Sequence, residues 1–226
     1  MIRRTQAERS DGTTAALTRA ARELFGRHGY AATSIDAVAA AAGVTKGAAY
    51  HHFGGKAPLF RAAVEEELVA VSARLERVAA EEGEPWAAVR RGAHAFLEHC
   101  LDPGFRRIVL LDAPSVLGWE TVREMEHAHL LRVLHAGFEL AATSGPARDE
   151  PAARGGTERE GPAGGGTGRE GLAGGEVERG GLAVRARLVF GALCEGGMLL
   201  ARSPDPAADL PRLAAEAGRL LESLRP

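Results

Sequence analysis

One segment constrains the fold more than any other. Between Thr33 and Lys56, two short helical runs are separated by glycine. Ile35, Val38, Ala39 and Ala42 recur at helical spacing, and Gly43 stops that run after about nine residues. A second run extends from Thr45 to about His51 and is ended by Gly54-Gly55. Thr33 or Ser34 can cap the first run, and Thr33-x-x-Asp36 resembles a capping box with Asp in place of Glu. Thr45 can cap the second. Gly43 can take the positive φ that a tight turn needs. Ala39 is small where the helices cross, and Val44 plugs the space between them. Two short helices joined by a glycine turn make a helix-turn-helix.

The rest of the chain agrees with an all-α fold. Ala, the best intrinsic helix former, makes up about a fifth of the residues, and aromatics are only 5%. A sheet protein is therefore not expected. The length of 226 residues suits one domain or two small ones, and a hydrophobic share of 45% is enough for a core. No apolar run approaches the ~18 residues of a membrane span. The N-terminal basic residues precede no apolar stretch, so no secretory signal is expected and the expected compartment is the cytoplasm. Cys100 and Cys194 are too few for a disulfide framework or a Cys-based zinc site.

Around the segment, helical spacing predicts about nine helices. Residues 1–12 read as a flexible N-terminal arm. A helix follows from Thr13 to about His28, stopped by Gly29. With the two short helices it forms a three-helix unit over 13–55. A long amphipathic helix starts near Lys56, with Pro58 in its first turn. Further helices are predicted over 86–101, from the Asp102-Pro103 cap to about Asp112, and over about 119–142, with Pro114 and Gly118 as interruptions. Residues 145–181 are about one-third glycine and carry a decad repeat, so they read as a flexible insertion within the 56–226 helical body. Gly164-Gly165-Gly166-Thr167-Gly168 follows no strand and lacks the ending of a phosphate loop. The last two helices, about 182–202 and 206–224, are apolar with small residues at Gly191, Ala192, Gly196 and Gly197. They suit plain core or half of an intersubunit four-helix bundle.

Charge points to the same region. Residues 1–60 hold eight Lys/Arg against four Asp/Glu, a net +4, and the remainder carries −6. The chain has two lysines against 26 arginines, and both lysines, Lys46 and Lys56, lie in the glycine-punctuated segment. A basic front on an acidic body suits nucleic acid. In a helix-turn-helix the N-terminal end of the second helix enters the major groove, which here offers Thr45, Lys46, Gly47 and Ala48. Lys46 can reach a guanine edge or a phosphate. Tyr50 and His51 can donate to phosphate oxygens. Lys56 adds its charge to a helix N-terminus.

These residues resemble the DNA-binding domain of the tetracycline-repressor (TetR) family of transcriptional regulators. The resemblance is carried by Thr33, Ile35-x-x-Val38-Ala39, Ala42-Gly43-Val44-Thr45-Lys46-Gly47 and Tyr50-His51-His52-Phe53-x-x-Lys56-x-x-Leu59-Phe60, with Ala20-Ala21-x-x-Leu24-Phe25 and Gly29-Tyr30 before them. It covers about residues 13–65 and adds Thr33 to the DNA-facing set. One departure is Ala49, where members usually carry a larger residue, often Leu. The resemblance implies a homodimer through the helices at about 182–202 and 206–224, bound to double-stranded operator DNA. It also implies a ligand cavity among the fourth to seventh helices and release by a small-molecule effector, with repression the common mode.

Trp86, Phe96, Phe105, Trp119, Met125, His129 and Phe138 are the residues that could line such a cavity. Large aromatic and Met side chains at helical spacing also serve as ordinary core. A cavity lined by them would take a mostly apolar ligand, which His129 could orient. No metal or other cofactor is expected. Glu124, Glu126, His127, His129 and His135 cluster, yet Glu126-x-x-His129 has no counterpart on another helix. His99 and Cys100, adjacent on a helix, point apart and make no dyad. No catalytic set emerges, so an enzyme is not expected. The alternative is an all-helical dimeric ligand-binding or interaction protein without specific DNA binding.

Overall fold

The computed structural model describes residues 6–144 and 170–226, with the side chains of 10–144 and 180–226. Among the described residues there are nine helices and no strand. We label them α1 (Gln6–Ala32), α2 (Ile35–Ala41), α3 (Lys46–Phe53), α4 (Lys56–Ala80), α5 (Pro85–His99), α6 (residues 103–117), α7 (residues 119–143), α8 (Glu170–Arg202) and α9 (Pro206–Ser223). Among the described residues no helix is long and apolar enough to cross a membrane.

Two expected helix starts move. The helix expected from Thr13 begins at Gln6, so residues 6–12 are helical rather than an arm, and residues 1–5 lie outside the described residues. The helix expected from Leu182 begins at Glu170. The apolar 182–202 run supplies the nucleus, so residues added before it need no new one, and no proline interrupts 170–181. The remainder of the expected glycine-rich insertion, 145–169, lies outside the described residues.

The long helices hold together by close approach. Gly26 of α1 lies against the backbone of Gly104 in α6, where an added Cβ would stand 3.1 Å from the Gly104 Cα. Gly197 of α8 lies against Cys100 at the end of α5, where a Cβ would stand 2.9 Å from Sγ. One core runs from α1 through α4 and α5 to α8, with Leu17, Phe25, Phe60, Leu68, Trp86, Phe105, Ile108 and Leu200 fully buried.

α6 and α7 each contain a stretch of π-helix, Arg106–Asp112 and His127–Leu131. A π-turn admits one extra residue per turn and rotates the remainder of the helix about its axis. Helix α6 thereby continues past the expected stop at Pro114 to Leu117, with Pro114 in the first turn of its last segment. Gly118, at φ 85°, separates it from α7.

A candidate DNA-reading face and a body cavity

Local sequence builds α2 and α3. Ser34, not Thr33, caps α2: its Oγ accepts the Ala37 N–H at 3.1 Å. Thr45 caps α3 in the same way, accepting from the Ala48 N–H at 3.1 Å. Gly43 at φ 69° makes the turn between them, and Gly54 at φ 72° ends α3. Ile35, Val38, Ala39 and Ala49 face inward. Ala49 is fully buried, so the small residue at this position seats α3 close to its neighbours.

With that side of α3 held, its opposite side is open. Thr45, Lys46, Gly47, Tyr50 and His51 are exposed, and Ala48 is half-buried beside them. Lys46 Nζ donates to Asp36 Oδ2 at 2.8 Å. His52 is turned inward and pairs with Thr14 of α1 at 3.1 Å.

Lys56 opens α4 at the edge of this face. Its Nζ donates to the Ala31 carbonyl at 3.3 Å and lies 4.2 Å above the Tyr30 ring. That ring packs edge-on to Phe60, with centroids 5.0 Å apart, and stacks on Phe25. Tyr50, Asp36 and Lys56 border one shallow groove with Ser34 and Ile35.

Thr33 does not belong to the exposed set. It is 3% exposed, and its Oγ1 donates to the Gly29 carbonyl at 2.9 Å. Its N–H is spent on the Tyr30 carbonyl at 3.3 Å. The cause is the bend at Gly29 (φ 80°, ψ 167°), which leaves carbonyls for Thr33 to satisfy and turns its side chain into the domain. Thr33 fixes the entry to α2 from behind.

The body holds a cavity of about 400 Å³ between α4, α5, α7 and α8. Its walls are Leu75 and Ala79 from α4, Ala88, Val89, Gly92, Ala93 and Phe96 from α5, Leu130, Val133, Leu134, Ala136 and Gly137 from α7, and Phe190 and Leu193 from α8. Glu76, Glu82 and Arg132 supply its charge, and Arg132 donates to Glu76 at 2.8 Å.

Of the seven residues expected to line a cavity, Phe96 alone does so. Trp86 and Phe138 spend their faces on each other, edge to face at 5.4 Å, inside the core. Phe105 packs on Phe96 and His99. Met125 is buried elsewhere in the core. Trp119 is 53% exposed and carries Arg123 over its ring at 5.0 Å. His129 is committed to α4, where Nε2 meets Glu65 Oε1. Large side chains fill space, whereas the cavity is the space left by small ones. The signal for it was Ala88, Gly92 and Ala93 on one helix facing Ala136 and Gly137 on another.

Asp112 and Glu67, which no sequence motif marks, tie α1 to α6 and α4. Asp112 Oδ2 of α6 accepts the Tyr30 N–H at 2.7 Å. Glu67 of α4, 3% exposed at its side chain, receives Arg22 of α1 through two hydrogen bonds, at 2.6 and 3.2 Å. Among the described residues no three His, Cys, Asp or Glu side chains converge as a metal site.

Residues 17–63 match the family of bacterial regulatory proteins, tetR family. Residues 86–154 match the tetracyclin repressor-like C-terminal domain. Over 131 residues the chain is 28% identical to the transposon Tn10 TetC protein of Escherichia coli, covering 58% of this chain and 66% of that protein. Over 111 residues it is 37% identical to the HTH-type transcriptional regulator TtgR of Pseudomonas putida, covering 48% and 52%. The chain thus spans between about half and two thirds of the length of these curated relatives. A TetR-family transcriptional regulator from Pectobacterium atrosepticum superposes with a TM-score of 0.70 at 28% identity, over 98% of both chains. RolR in complex with resorcinol superposes with a TM-score of 0.61 at 17% identity, over 98% of this chain and 97% of that one, a likeness of fold alone.

Proposed function

The chain belongs to the tetR family of bacterial regulatory proteins, DNA-binding transcriptional regulators and not enzymes, and from that premise we propose that it is a cytoplasmic, dimeric repressor released from a near-palindromic operator by a small apolar ligand. The observation that carries this reading is the open side of α3. Thr45, Lys46, Gly47, Tyr50 and His51 are exposed on a helix whose other side is fixed by buried Ala49. Thr45, Lys46, Gly47 and Ala48 would meet base edges in the major groove. Tyr50, His51 and Lys56 would meet phosphates and supply most of the affinity.

One recognition helix offers few base contacts, so specific binding calls for two. α8 has a face suited to pairing. Val184, Leu188 and Leu199 are exposed along one stripe, with exposed Gly191 and Ala192 between them where helix axes can approach closely. A two-fold dimer built there would place its α3 helices in half-sites about one helical turn apart, ~34–36 Å. A ligand in the α4–α5–α7–α8 cavity would act by preferring one spacing over the other, since equal affinity for both would shift nothing. The apolar walls favour an apolar ligand.

The test is retention on duplex DNA from upstream of the chain's own gene, run as a competition series over salt. The expected result is sequence-specific retention that weakens steeply with salt, lost in a Lys46→Glu, Lys56→Glu variant that still sediments as the parent does. Salt-insensitive or absent binding supports instead a helical ligand-binding dimer without an operator.

A further inference from the structure

The segment 33–56 contains one carboxylate, Asp36, against two lysines. Asp36 lies in the first turn of α2 and Lys46 opens α3, and the two are joined at 2.8 Å. Both side chains stay more than half exposed. An exposed ion pair adds little to stability. The two helices are in any case held by Ile35, Val38, Ala39 and Ala49 from inside and by the Ser34 and Thr45 caps. A carboxylate on a face meant for polyanionic DNA carries an electrostatic cost, so its placement calls for a return at the face itself.

The geometry supplies one. Lysine is a flexible point charge with no preferred partner. Here its ammonium is tied to Asp36 on one side and lies 5.8 Å from the Tyr50 ring centroid on the other. Its ammonium is thereby biased toward one place at the N-terminal end of α3, and the hydrogen bond with Asp36 raises its pKa above the ordinary lysine value. The same carboxylate cancels one of the two lysine charges of the segment, which weakens attraction to any duplex regardless of sequence.

We propose that Asp36 is a specificity-determining residue that acts through Lys46: its carboxylate holds the Lys46 ammonium toward a base edge in the groove and withholds it from phosphates. This rests on the DNA-binding reading above. The partner chemistry is a base-edge acceptor of the kind guanine presents through O6 and N7.

The experiment uses the full chain. The parent protein first enriches duplexes from a randomised pool. The dissociation constants of the enriched duplex and of a shuffled duplex are then measured by fluorescence anisotropy from about 50 to 200 mM KCl, the range over which phosphate contacts show their salt dependence. The proteins compared are the parent, Asp36→Asn, Asp36→Glu, Lys46→Ala and the Asp36→Asn, Lys46→Ala double variant. Asp36→Asn is expected to tighten the shuffled duplex about fivefold or more and to steepen the salt slope by about one unit. Its preference for the enriched duplex should fall by about the same factor. Asp36→Glu, which keeps a carboxylate, should retain most of the preference. In the Lys46→Ala background, adding Asp36→Asn should change the preference less than about twofold. An unchanged preference in Asp36→Asn, or an equal change with Lys46 absent, overturns the proposal and leaves the regulator reading standing. If the parent enriches no duplex, both fall. Should Asp36→Asn lose its helical circular dichroism, Asp36→Ser is read in its place against the same criteria.

Discussion

The Asp112 carboxylate accepts the backbone N–H of Tyr30 at 2.7 Å, across 82 residues of sequence. It thereby ties the π-helical stretch of α6 to the bend in α1 at Gly29. A Cβ at Gly29 would lie 3.2 Å from the same oxygen, and φ there is +80°, so the position is reserved for glycine on two counts. Because the Tyr30 ring in turn carries Lys56 at 4.2 Å, the body reaches the edge of the α3 face in two steps. Replacing Asp112 by Ala leaves a part-buried N–H without its acceptor, at a cost of about 1–3 kcal/mol. The expected outcome is a melting temperature several degrees lower and weaker retention on duplex, with Asp112→Asn closer to the parent. Thermal unfolding and anisotropy on the three proteins check it.

Arg22 and Glu67 join α1 to α4 through a pair that is buried on the Glu67 side. Arg22→Met should destabilise the chain by about 3 kcal/mol, because it strands a carboxylate away from water. Replacing both residues by Met should return most of that loss. Urea unfolding of the singles and the double closes the cycle, and a double variant as unstable as Arg22→Met would refute the burial argument.

Gly92 faces the cavity with nothing within 4 Å of an added Cβ. Gly92→Leu should be tolerated, since it also gains about 1 kcal/mol of helix propensity over glycine. It should cut binding of the neutral fluorophore N-phenyl-1-naphthylamine by tenfold or more, about 1.4 kcal/mol, while leaving DNA retention in place. Gly137 contrasts with it: a Cβ there would stand 2.8 Å from Val89, so Gly137→Leu should lower the melting temperature.

Glu126 is buried between α7 and its neighbours, with Arg123 at 3.6 Å as partial compensation. Burial raises its carboxyl above the ordinary 4.5. A carboxylate whose folded value is raised penalises the fold where it is ionised, so stability from this group is recovered as pH falls through the raised value toward 4.5. Glu126→Gln should therefore raise the melting temperature at about pH 7–8, with the gain shrinking toward about pH 5. A gain that is flat with pH would count against the assignment.

Burial pushes the Cys100 thiol up to about 12 and moves Cys194 in the same direction. Both should remain protonated thiols at about pH 8 and resist iodoacetamide in the native protein, then alkylate fully in urea. Mass spectrometry of the two conditions decides.

What could be read from the sequence was what is decided locally. Ser34, Thr45, Gly43 and Gly54 act on neighbours within four residues, so the α2–α3 unit and its exposed side were legible in the residues themselves. The burial of Thr33 is not legible in the same way, because it depends on a bend four residues earlier and spacing alone does not show which way a hydroxyl turns. The cavity escaped because α7 and α8 close it against α4 and α5 from far along the chain, and because it depends on what those helices lack. Asp112 and His129 lie within the π-turns of α6 and α7, which α-helical spacing does not anticipate.

Helix α8 has two sides with different obligations. Phe190 and Leu193 wall the cavity, while Leu188 and Leu199 look outward from the same rod. Gly196 and Gly197 press it against α5 with no slack, at 3.2 Å from Leu97 and 2.9 Å from Cys100 for any added carbon. A ligand of the proposed kind beside Phe190 would meet a rod with no room to move toward α5, which leaves its outer side as the one free to shift. On the pairing and ligand binding proposed above, occupancy and self-association would be linked equilibria, and a ligand that tightens the subunit contact would itself be held more tightly by the paired form, by the same factor.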